Sequence, residues 1–213
     1  MEQIKINNLE PVPLRGLFSD SAVWNQEVTL KKGERTLITA ASGRGKSTFI
    51  HLLIGIRTDY TGTIQYDGQP TTALTPEQWA TIRSSQCAAV FQDLRLFLDL
   101  SVRENVLLKN ALHQHKTETA IQEAVQQLGM GNFWETPVAT LSYGQRQRVA
   151  IVRAICQPFD FLMLDEPFSH LDLENSRKAI ELILEECSAQ KAGLILCSHE
   201  SDYGMAFDRK LNL

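Results

Sequence analysis

One run of small residues between two apolar segments constrains this chain more than any other feature. Residues 40–48 have the sequence Ala-Ala-Ser-Gly-Arg-Gly-Lys-Ser-Thr, after the apolar segment 36–39 and before the apolar segment 49–53. Small residues let consecutive backbone N–H groups point at one anion, and the helix that follows adds its positive end. Lys46 supplies an ammonium group for the β- and γ-phosphates, and the Ser47 hydroxyl is placed to bind Mg²⁺. The pattern predicts a phosphate-binding turn formed by Ala40, Ala41, Ser42, Gly43, Arg44, Gly45, Lys46, Ser47 and Thr48.

The first residue of this turn departs from the usual motif, which opens with glycine and here has Ala40. If the backbone needs a positive φ at this point, alanine strains the turn by roughly 1–2 kcal/mol. Gly43 and Gly45 are in place, so we expect binding to be retained. The alternative is a strand-to-helix turn that binds nothing, which the Gly-Lys-Ser-Thr ending disfavours.

Charge and cysteine content argue against several classes of protein. The 213 residues include 21 Lys and Arg and 25 Asp and Glu, so the formal charge is 21 − 25 = −4 and does not favour direct binding to nucleic acid. The four cysteines are far apart and lie among apolar neighbours, which predicts reduced core thiols in a cytosolic protein. The N-terminus has no signal-peptide core, and the apolar runs are far shorter than the ~20 residues that span a bilayer. We therefore expect membrane association only through a partner.

Two kinds of strand pattern predict two β-layers. Alternating apolar residues near 4–9 and 27–30 predict an antiparallel layer, and residues 61–68 predict another strand closed by an Asp-Gly turn. The short apolar runs 159–164 and 194–197 are separated by a helical pattern, which predicts buried parallel strands in a β-α-β unit. The fold class that follows is α/β.

The middle of the chain has a different pattern. Residues 76–156 are mostly helical, with a 3.6-residue period from 116 to 128 that Gly129 ends. No repeat, low-complexity tract or linker divides the chain. We therefore predict one domain, with a nucleotide-binding core at about 1–75 and 157–213 and a helical arm at about 76–156.

A buried strand that ends in two adjacent carboxylates is the second functional motif. Residues 161–166 are Phe-Leu-Met-Leu-Asp-Glu. Asp165, at the tip of the strand, is expected to hold Mg²⁺ through its water shell, and Glu166 to polarise the attacking water. Acidic pairs also cap helices, which is the structural alternative.

A second candidate anion site lies at residues 141–148. Ser142, Gly144 and Gln145 form a small-residue turn before the helical run 149–155. A hydroxyl and a helix N-terminus suit an anion, and one phosphate loop alone does not need this second site. Taken by itself, the pattern is equally that of an ordinary N-capped helix.

With these motifs the chain resembles the ATP-binding-cassette (ABC) ATPases over essentially its whole length. Six family motifs occur in order: the phosphate loop at 40–48, the glutamine loop at 90–92, the signature at 141–145, the acidic strand at 161–166, and the segments 169–172 and 197–199. Two residues depart from the family pattern: Ala40, and Tyr143 at the first glycine of the usual Leu-Ser-Gly-Gly-Gln. Tyr143 is expected to narrow the signature turn, and contact with the γ-phosphate to be kept.

The resemblance implies a P-loop NTPase with an antiparallel β-layer and an inserted helical subdomain, which binds ATP and Mg²⁺. It also implies a head-to-tail dimer in which each ATP lies between the phosphate loop of one subunit and the signature of the other. The resemblance implies that Glu166, His199 and Gln92 are catalytic and that Ser47, Gln92 and Asp165 hold the metal. It also implies that Ser142, Gly144 and Gln145 contact the nucleotide of the other subunit and that Asp172 lies at the dimer interface. Adenine would stack on Phe18, or else on Trp24. Each aromatic ring could equally belong to the core.

Residues 91–106 look like the region that docks the membrane partner in transporter subunits. Leu96, Phe97, Leu98 and Leu100 are too many apolar residues for a free loop. The alternative is that they pack inside the helical arm. This stretch most resembles the small ATPases that serve lipoprotein-releasing, cell-division and macrolide-efflux complexes.

The leading hypothesis is the ATP-hydrolysing subunit of a membrane transporter, with the permease on a separate chain and a second copy of itself or a paralogous ATPase as dimer partner. It would be cytoplasmic and peripheral on the inner face of the cell membrane. The alternatives are a regulator of a cell-division-type membrane complex and a soluble cassette ATPase that acts on DNA or ribosomes. The acidic charge disfavours the DNA or ribosome role, and Glu166 and His199 disfavour a scaffold without catalysis.

Overall fold

The computed structural model describes residues 1–199 and 202–213. The strands are β1 (Gln3–Pro11), β2 (Glu27–Lys31), β3 (Arg35–Thr39), β4 (Tyr60–Tyr66), β5 (Gln69–Pro70), β6 (Cys87–Val90), β7 (Phe161–Asp165), β8 (Gly193–Ser198) and β9 (Arg209–Asn212). The α-helices are α1 (Lys46–Leu53), α2 (Pro76–Ser85), α3 (Val102–Asn110), α4 (Glu118–Gln127), α5 (Tyr143–Ile155) and α6 (Leu173–Gln190).

Four strands form the predicted antiparallel layer, in the order β2-β1-β4-β5. Ile4 pairs with Leu30 and Ile6 with Val28, so the buried residues of the two strands share one face. A turn at Asp67 and Gly68 joins β4 to β5. The alternating pattern of the sequence therefore has a direct cause, because every second residue of a half-buried strand must be apolar.

The second sheet is parallel throughout, in the order β6-β7-β8-β3-β9. Strand β7, which lies between β6 and β8, is buried along its whole length, as the continuous apolar run predicted. Thr39 lies beside Ser198, and Asp165 beside Cys197. All these strands end at one edge, so the loops that follow β3, β6, β7 and β8 meet there.

The parallel sheet separates two apolar cores. Phe161 and Met163 of β7 face the core shared with α1 and the antiparallel sheet, whereas Leu162 and Leu164 face the core shared with α5 and α6. The period of two along β7 thus directs alternate residues to opposite faces. Helix α1, which follows the phosphate loop, is fixed by the first of these cores.

Helices α2 to α5 occupy the segment predicted to be mostly helical. Gly129 follows α4 with a φ of 69°, a conformation that suits glycine at a helix end. Strand β6 falls within the predicted arm, residues 76–156, yet pairs with β7 in the parallel sheet. The division of the chain into core and arm stays a prediction.

The four cysteines are free and buried, as predicted for core thiols. Burial raises the pKa of the Cys87 and Cys156 thiols to about 12, which keeps them protonated and unreactive. Among the described residues, no helix has the length and apolar character needed to cross a membrane.

Candidate active site

The phosphate loop is built so that its backbone, rather than its side chains, meets an anion. Gly45 is the N-cap of α1 with a φ of 100°, and no side chain caps the helix. A Cβ atom on Gly45 would lie 2.6 Å from Leu14 Cδ1, so both the conformation and the space require glycine. The first N–H groups of a helix have no partner within it, and an uncapped helix leaves them for a ligand.

Ala40 does not carry the strain that a positive φ would impose. It is absent from the described non-glycine residues with positive φ, whereas Gly43 and Gly45 have values of 80° and 100°. Its N–H donates to the Ser198 carbonyl at 3.2 Å, which continues the pairing of β3 with β8. The strain considered for this position is therefore not present, and the motif tolerates alanine here.

Lys46 lies deep in the loop, with 6% of its side chain exposed. Its Nζ donates to the carbonyl oxygens of Ala40 at 2.7 Å and Ala41 at 3.2 Å. The same ammonium group is 3.2 Å from Glu166 Oε1. The phosphate loop and the acidic strand are far apart along the chain, and they therefore meet at Lys46 only in the fold.

The two carboxylates after β7 have different surroundings. Asp165 is 2% exposed, and its Oδ1 has no hydrogen-bond partner among the described residues. Burial raises the pKa of Asp165, and the Ser47 hydroxyl acts in the opposite direction. Glu166 adopts a φ of 49°, and its N–H donates to the Cys197 carbonyl at 2.9 Å. This turn directs the Glu166 side chain toward Lys46.

A cleft of about 270 Å³ collects the candidate catalytic side chains. Lys46, Glu166, Gln92 and His199 line it. The lining is completed by Leu14, Ser42, Gly43, Gly45, Ser47 and Thr48. Leu14, between β1 and β2, was missed from the sequence because a single apolar loop residue carries no signal of its own.

The three predicted metal ligands share an adjoining cavity of about 290 Å³, lined in part by Ser47, Gln92 and Asp165. Ser47 Oγ lies 3.4 Å from Gln92 Oε1. The described residues contain no group of three or more His, Cys, Asp or Glu side chains placed to hold a metal. Mg²⁺ does not require one, because it is usually bound through one or two carboxylates, water and substrate phosphates.

A reciprocal capping bond joins Ser142 and Gln145 in the signature turn. Ser142 Oγ accepts from the Gln145 N–H at 3.3 Å, and the Gln145 side chain accepts from the Ser142 N–H at 2.8 Å. A Cβ atom on Gly144 would lie 2.7 Å from the His170 carbonyl oxygen, so the turn packs directly on the segment after β7. Of the described residues, no member of this turn lines the phosphate-loop cleft.

Asp172 caps helix α6, accepting from the Asn175 N–H at 2.8 Å. Hydrogen bonds from Asn175 hold the pKa of Asp172 below its usual value. The residue is exposed on the segment that supports the signature turn.

The two aromatic candidates for adenine stacking differ. Trp24 is buried, forms an edge contact with Phe49 and donates its ring N–H to the Arg44 carbonyl at 3.3 Å. It supports the loop from within the core, and its role as the second choice for adenine stays a prediction. Phe18 is partly exposed beside the loop, with the Arg44 guanidinium 4.7 Å from its ring centre.

Gln147 supports the segment after β7, a role that was not predicted from the sequence. It is buried, its amide donates to Ser169 Oγ at 3.1 Å, and its Oε1 accepts from the His170 N–H at 3.1 Å. The helical period did contain a signal, because Gln147 shares the buried face of α5 with Ala150 and Ile151. A polar residue on an apolar face predicts a buried hydrogen bond.

An apolar groove of about 500 Å³ lies apart from the phosphate-loop cleft. It is lined by Ile54, Ile56, Arg83, Cys87, Ala89, Phe91, Arg95, Phe97, Asn105, Leu108, Lys109, Arg153 and Ala154. Phe97 is 58% exposed and the neighbouring Leu98 46%, whereas Leu96 packs partly against the core. Of the four residues predicted for docking, Phe97 and Leu98 are exposed at the surface, whereas Leu96 and Leu100 are half-buried.

Three cations of this groove bond to backbone carbonyls. Lys109 Nζ donates to the Arg83 carbonyl, Arg83 to that of Ile54, and Arg153 to those of Leu94 and Arg95. Burial lowers the pKa of Lys109, and the neighbouring Arg153 and Arg83 charges lower it further. Within residues 1–199 and 202–213 no carboxylate forms an ion pair with Lys109, Arg83 or Arg153.

A parallel sheet with a glycine-rich turn before α1 defines an α/β nucleotide-binding protein of the phosphate-loop class. A family model described as ABC transporter matches residues 23–169. The chain is 28% identical to the lipoprotein-releasing system ATP-binding protein LolD of Psychrobacter arcticus, over 99% of this chain and 95% of that protein. It is 33% identical to the thiamine import ATP-binding protein ThiQ of Escherichia coli, over 81% of this chain and 73% of that protein.

Among solved structures, the dimeric bacterial ABC transporter cassette MJ0796 has the same fold, with a TM-score of 0.85 over 99% of this chain and 94% of that one, at 24% identity. The chain belongs to the ABC transporter family. It is an ATP-binding and ATP-hydrolysing subunit of an ABC-type transporter. The predicted family and fold class are confirmed.

Proposed function

We propose that ATP is hydrolysed in the cleft between the phosphate loop and Glu166. The observation that carries this proposal is the 3.2 Å contact between Lys46 Nζ and Glu166 Oε1, because it puts the phosphate-binding cation next to a carboxylate. The backbone amides of residues 42–48 would bind the β-phosphate, and Lys46 would bridge the β- and γ-phosphates. A phosphate group would compete with Glu166 for Lys46, which leaves the carboxylate to act on water.

Mg²⁺ fits the oxygen atoms beside the cleft. In the part of the chain that the structure describes, the buried Asp165 Oδ1 lacks a hydrogen-bond partner, and Ser47 and Gln92 line the same cavity as Asp165. Hydroxyl, amide and carboxylate oxygens are hard ligands of the kind that Mg²⁺ prefers. Bound there with the nucleotide, the ion would neutralise charge on the transferring phosphoryl group.

Glu166 is the proposed general base. Its carboxylate would accept a proton from the attacking water, with His199 bracing the γ-phosphate and Gln92 contacting the water from the other side. All three line the same cleft. A contribution of the usual size for such proton transfer is 10²–10⁴-fold in rate.

The second subunit is proposed to supply the signature serine. Ser142 is exposed and lies outside the lining of the cleft in its own chain, as far as the described residues go. Its capping bond uses an oxygen lone pair, so the hydroxyl hydrogen stays available to a phosphate oxygen. A second copy, or a paralogous ATPase, would place this donor on the γ-phosphate. Asp172 would lie at the same seam.

The apolar groove is the proposed docking site for an integral membrane permease on a separate chain, which would hold the protein at the inner face of the cell membrane. Phe97 and Leu108 expose apolar surface in its lining, and Leu98, next to Phe97 in the chain, is also exposed. Lys109, Arg83 and Arg153 add three positive charges beside that surface. This combination suits a partner segment with apolar side chains and at least one carboxylate. We also propose a helical arm at about residues 76–156, interrupted by β6, which pairs with β7 in the parallel sheet.

The catalytic proposal is tested with Lys46→Ala. We expect ATP binding or turnover to be abolished, because the loop loses its only side-chain ammonium group. Lys178→Ala, on the exposed face of α6, is the matched control and should leave both unchanged. Unchanged affinity and turnover in Lys46→Ala would remove Lys46 from the site.

The docking proposal is tested with Leu98→Asp and Phe97→Asp, measured as release of the co-purifying membrane protein in detergent. We expect association to weaken at least about five-fold, since each change puts a carboxylate into an apolar contact. Leu112→Asp is the control, because Leu112 is 57% exposed and lies outside the groove lining. Retention of the partner by both variants would show that the groove is not the docking site.

A further inference from the structure

Tyr143 connects three loops that lie on the nucleotide side of the molecule. It is the first residue of α5, and its hydroxyl donates to the Gln92 carbonyl oxygen at 2.5 Å. Its ring centre lies 4.4 Å from that of His170, in the segment after β7. The side chain is 40% exposed, so nothing in the packing alone forces it onto these two partners.

The contact completes a path from the metal side of the cleft to the signature serine. Ser47 meets the Gln92 side chain, the Gln92 carbonyl accepts from Tyr143, and Tyr143 adjoins Ser142 in the chain. His170, on which the Tyr143 ring packs, is fixed by its own hydrogen bonds. Its Nδ1 lies 2.9 Å from Ser169 Oγ, and the Gln147 side chain bonds to both residues. A displacement of Gln92 would therefore act on the start of α5.

The turn that follows Gln92 needs such external support. Leu94 and Arg95 have φ values of 61° and 48°, and two successive non-glycine residues in this region store strain. The Arg153 guanidinium holds the carbonyls of both residues at one end of the turn. Tyr143 holds the carbonyl of Gln92 at the other end.

We propose that Tyr143 is a positioning residue that links the glutamine loop of one nucleotide site to the signature serine that serves the other site. The proposal rests on the dimer of the proposed function. Tyr143 touches no reacting atom; it fixes the spacing between Gln92 and Ser142 within one chain.

The test uses Tyr143→Phe in a Glu166→Gln background, in which hydrolysis does not disperse the dimer. Phenylalanine keeps the ring beside His170 and removes only the hydroxyl. We expect the dimer dissociation constant in Mg·ATP, measured by analytical ultracentrifugation, to rise about five-fold, the equivalent of one hydrogen bond of ~1 kcal/mol. The affinity of the monomer for a fluorescent ATP analogue should not change, because Tyr143 lies outside the phosphate-loop cleft.

Tyr60→Phe is the matched control. The Tyr60 hydroxyl lies 3.2 Å from Thr71 Oγ1 beside the antiparallel sheet, so the same chemical group and a comparable contact are lost far from the signature. It should leave the dimer dissociation constant unchanged. Equal dissociation constants for Tyr143→Phe and the background protein would overturn the proposal, and so would equal weakening by both tyrosine variants.

A second measurement tests the link between Tyr143 and Gln92 without a dimer. Failure of the Glu166→Gln protein to dimerise would count against the dimer of the proposed function, and this measurement would still apply. Amide hydrogen exchange in residues 92–95 is followed without nucleotide. Tyr143→Phe should exchange at least about five-fold faster in this segment, whereas Tyr60→Phe should match the parent. Identical exchange in Tyr143→Phe and the parent would overturn the link between Tyr143 and the glutamine loop.

Discussion

The phosphate loop and the signature turn have similar sequences but opposite hydrogen-bonding states. Each joins small residues and a serine to the start of a helix. Gly45 begins α1 without a side-chain cap, so the first N–H groups are left for a ligand. Ser142 caps α5 in a reciprocal bond with Gln145, which pairs the Gln145 N–H and the Ser142 N–H within the turn.

The difference indicates what each turn can bind. The phosphate loop offers several backbone donors, the positive end of a helix and Lys46, all from one chain. The signature turn has no ammonium group, and its capping bond leaves the hydroxyl hydrogen of the exposed Ser142 available to a ligand. We infer that the first binds ATP alone, and that the second contributes only when another subunit already holds the nucleotide.

The largest expected effect comes from Glu166→Gln. Because the amide cannot accept a proton, turnover measured by phosphate release should fall by roughly 10²–10⁴-fold while ATP binding survives. The variant should accumulate as an ATP-bound dimer, so that the contribution of the signature turn can be measured separately from that of the phosphate loop.

Glu181→Gln, an exposed residue of α6, is the control and should keep the parent rate. A Glu166→Gln protein that hydrolyses ATP at the parent rate would contradict the catalytic role. One that stays monomeric with ATP, even with its membrane partner present, would contradict the difference drawn between the two turns.

A smaller effect is expected from Gly45→Ala in the phosphate loop. The new Cβ would lie 2.6 Å from Leu14 Cδ1, at a φ of 100°. Loss of the loop conformation should weaken ATP affinity by about ten-fold or more, as measured by equilibrium titration of the monomer.

Gly33→Ala separates strain from binding. Gly33 has a φ of 81° with no atom within 4 Å of an added Cβ, in the turn between β2 and β3. This control should lose stability by about 1 kcal/mol and keep its ATP affinity. Equal ATP affinities in Gly45→Ala and the parent protein would show that the loop backbone does not form the binding surface.

Ser142→Ala tests the signature turn alone. Loss of the cap should lower the free energy of unfolding by about 1 kcal/mol, as measured by urea denaturation. It should leave the ATP affinity of the monomer unchanged and weaken the ATP-dependent dimer. Ser142→Arg should abolish that dimer, because it puts bulk and a cation at a crowded seam. If Ser142→Ala instead weakened ATP binding in the monomer, the turn would act within its own chain.

The sequence was sufficient for the order of the motifs and for the strands with a clear apolar pattern, but not for β6, which lies within the predicted helical arm. Alternation in β1 and the continuous apolar run of β7 reflect burial on one face and on both faces, which are local consequences of the sheet. The expected pairing of residues 40–48 with Asp165 and Glu166 also follows from the parallel sheet, since its strands end at one edge.

Contacts across loops could not be predicted in the same way. The bond from Tyr143 to Gln92 joins residues 51 positions apart and depends on the exact packing of α5 against the segment after β7. Trp24 was a candidate for adenine because an aromatic residue has no pattern that separates core from ligand contact. The positive φ of Glu166, which aims its carboxylate at Lys46, has no sequence signal because the residue is not glycine.

The smallest expected effect is a change in the free energy of unfolding. It distinguishes Asp165, beside the phosphate loop, from Asp172, on the segment that supports the signature turn. Burial raises the pKa of Asp165, so its ionised form destabilises the fold above that pKa, and this cost disappears as the pH falls. Asp165→Asn should therefore be more stable than the parent at neutral pH, by about 1 kcal/mol, with the gain fading in acid, and should lose Mg²⁺-dependent turnover. Asp172 has a lowered pKa and stabilises the fold when ionised, so Asp172→Asn should be slightly less stable at neutral pH, with the loss also fading in acid. Urea denaturation from pH 7 to pH 3 measures both differences. If Asp165→Asn were less stable than the parent at pH 7, the buried carboxylate would stabilise the fold. Its position at the end of β7 would then have a structural reason rather than a role in binding the nucleotide.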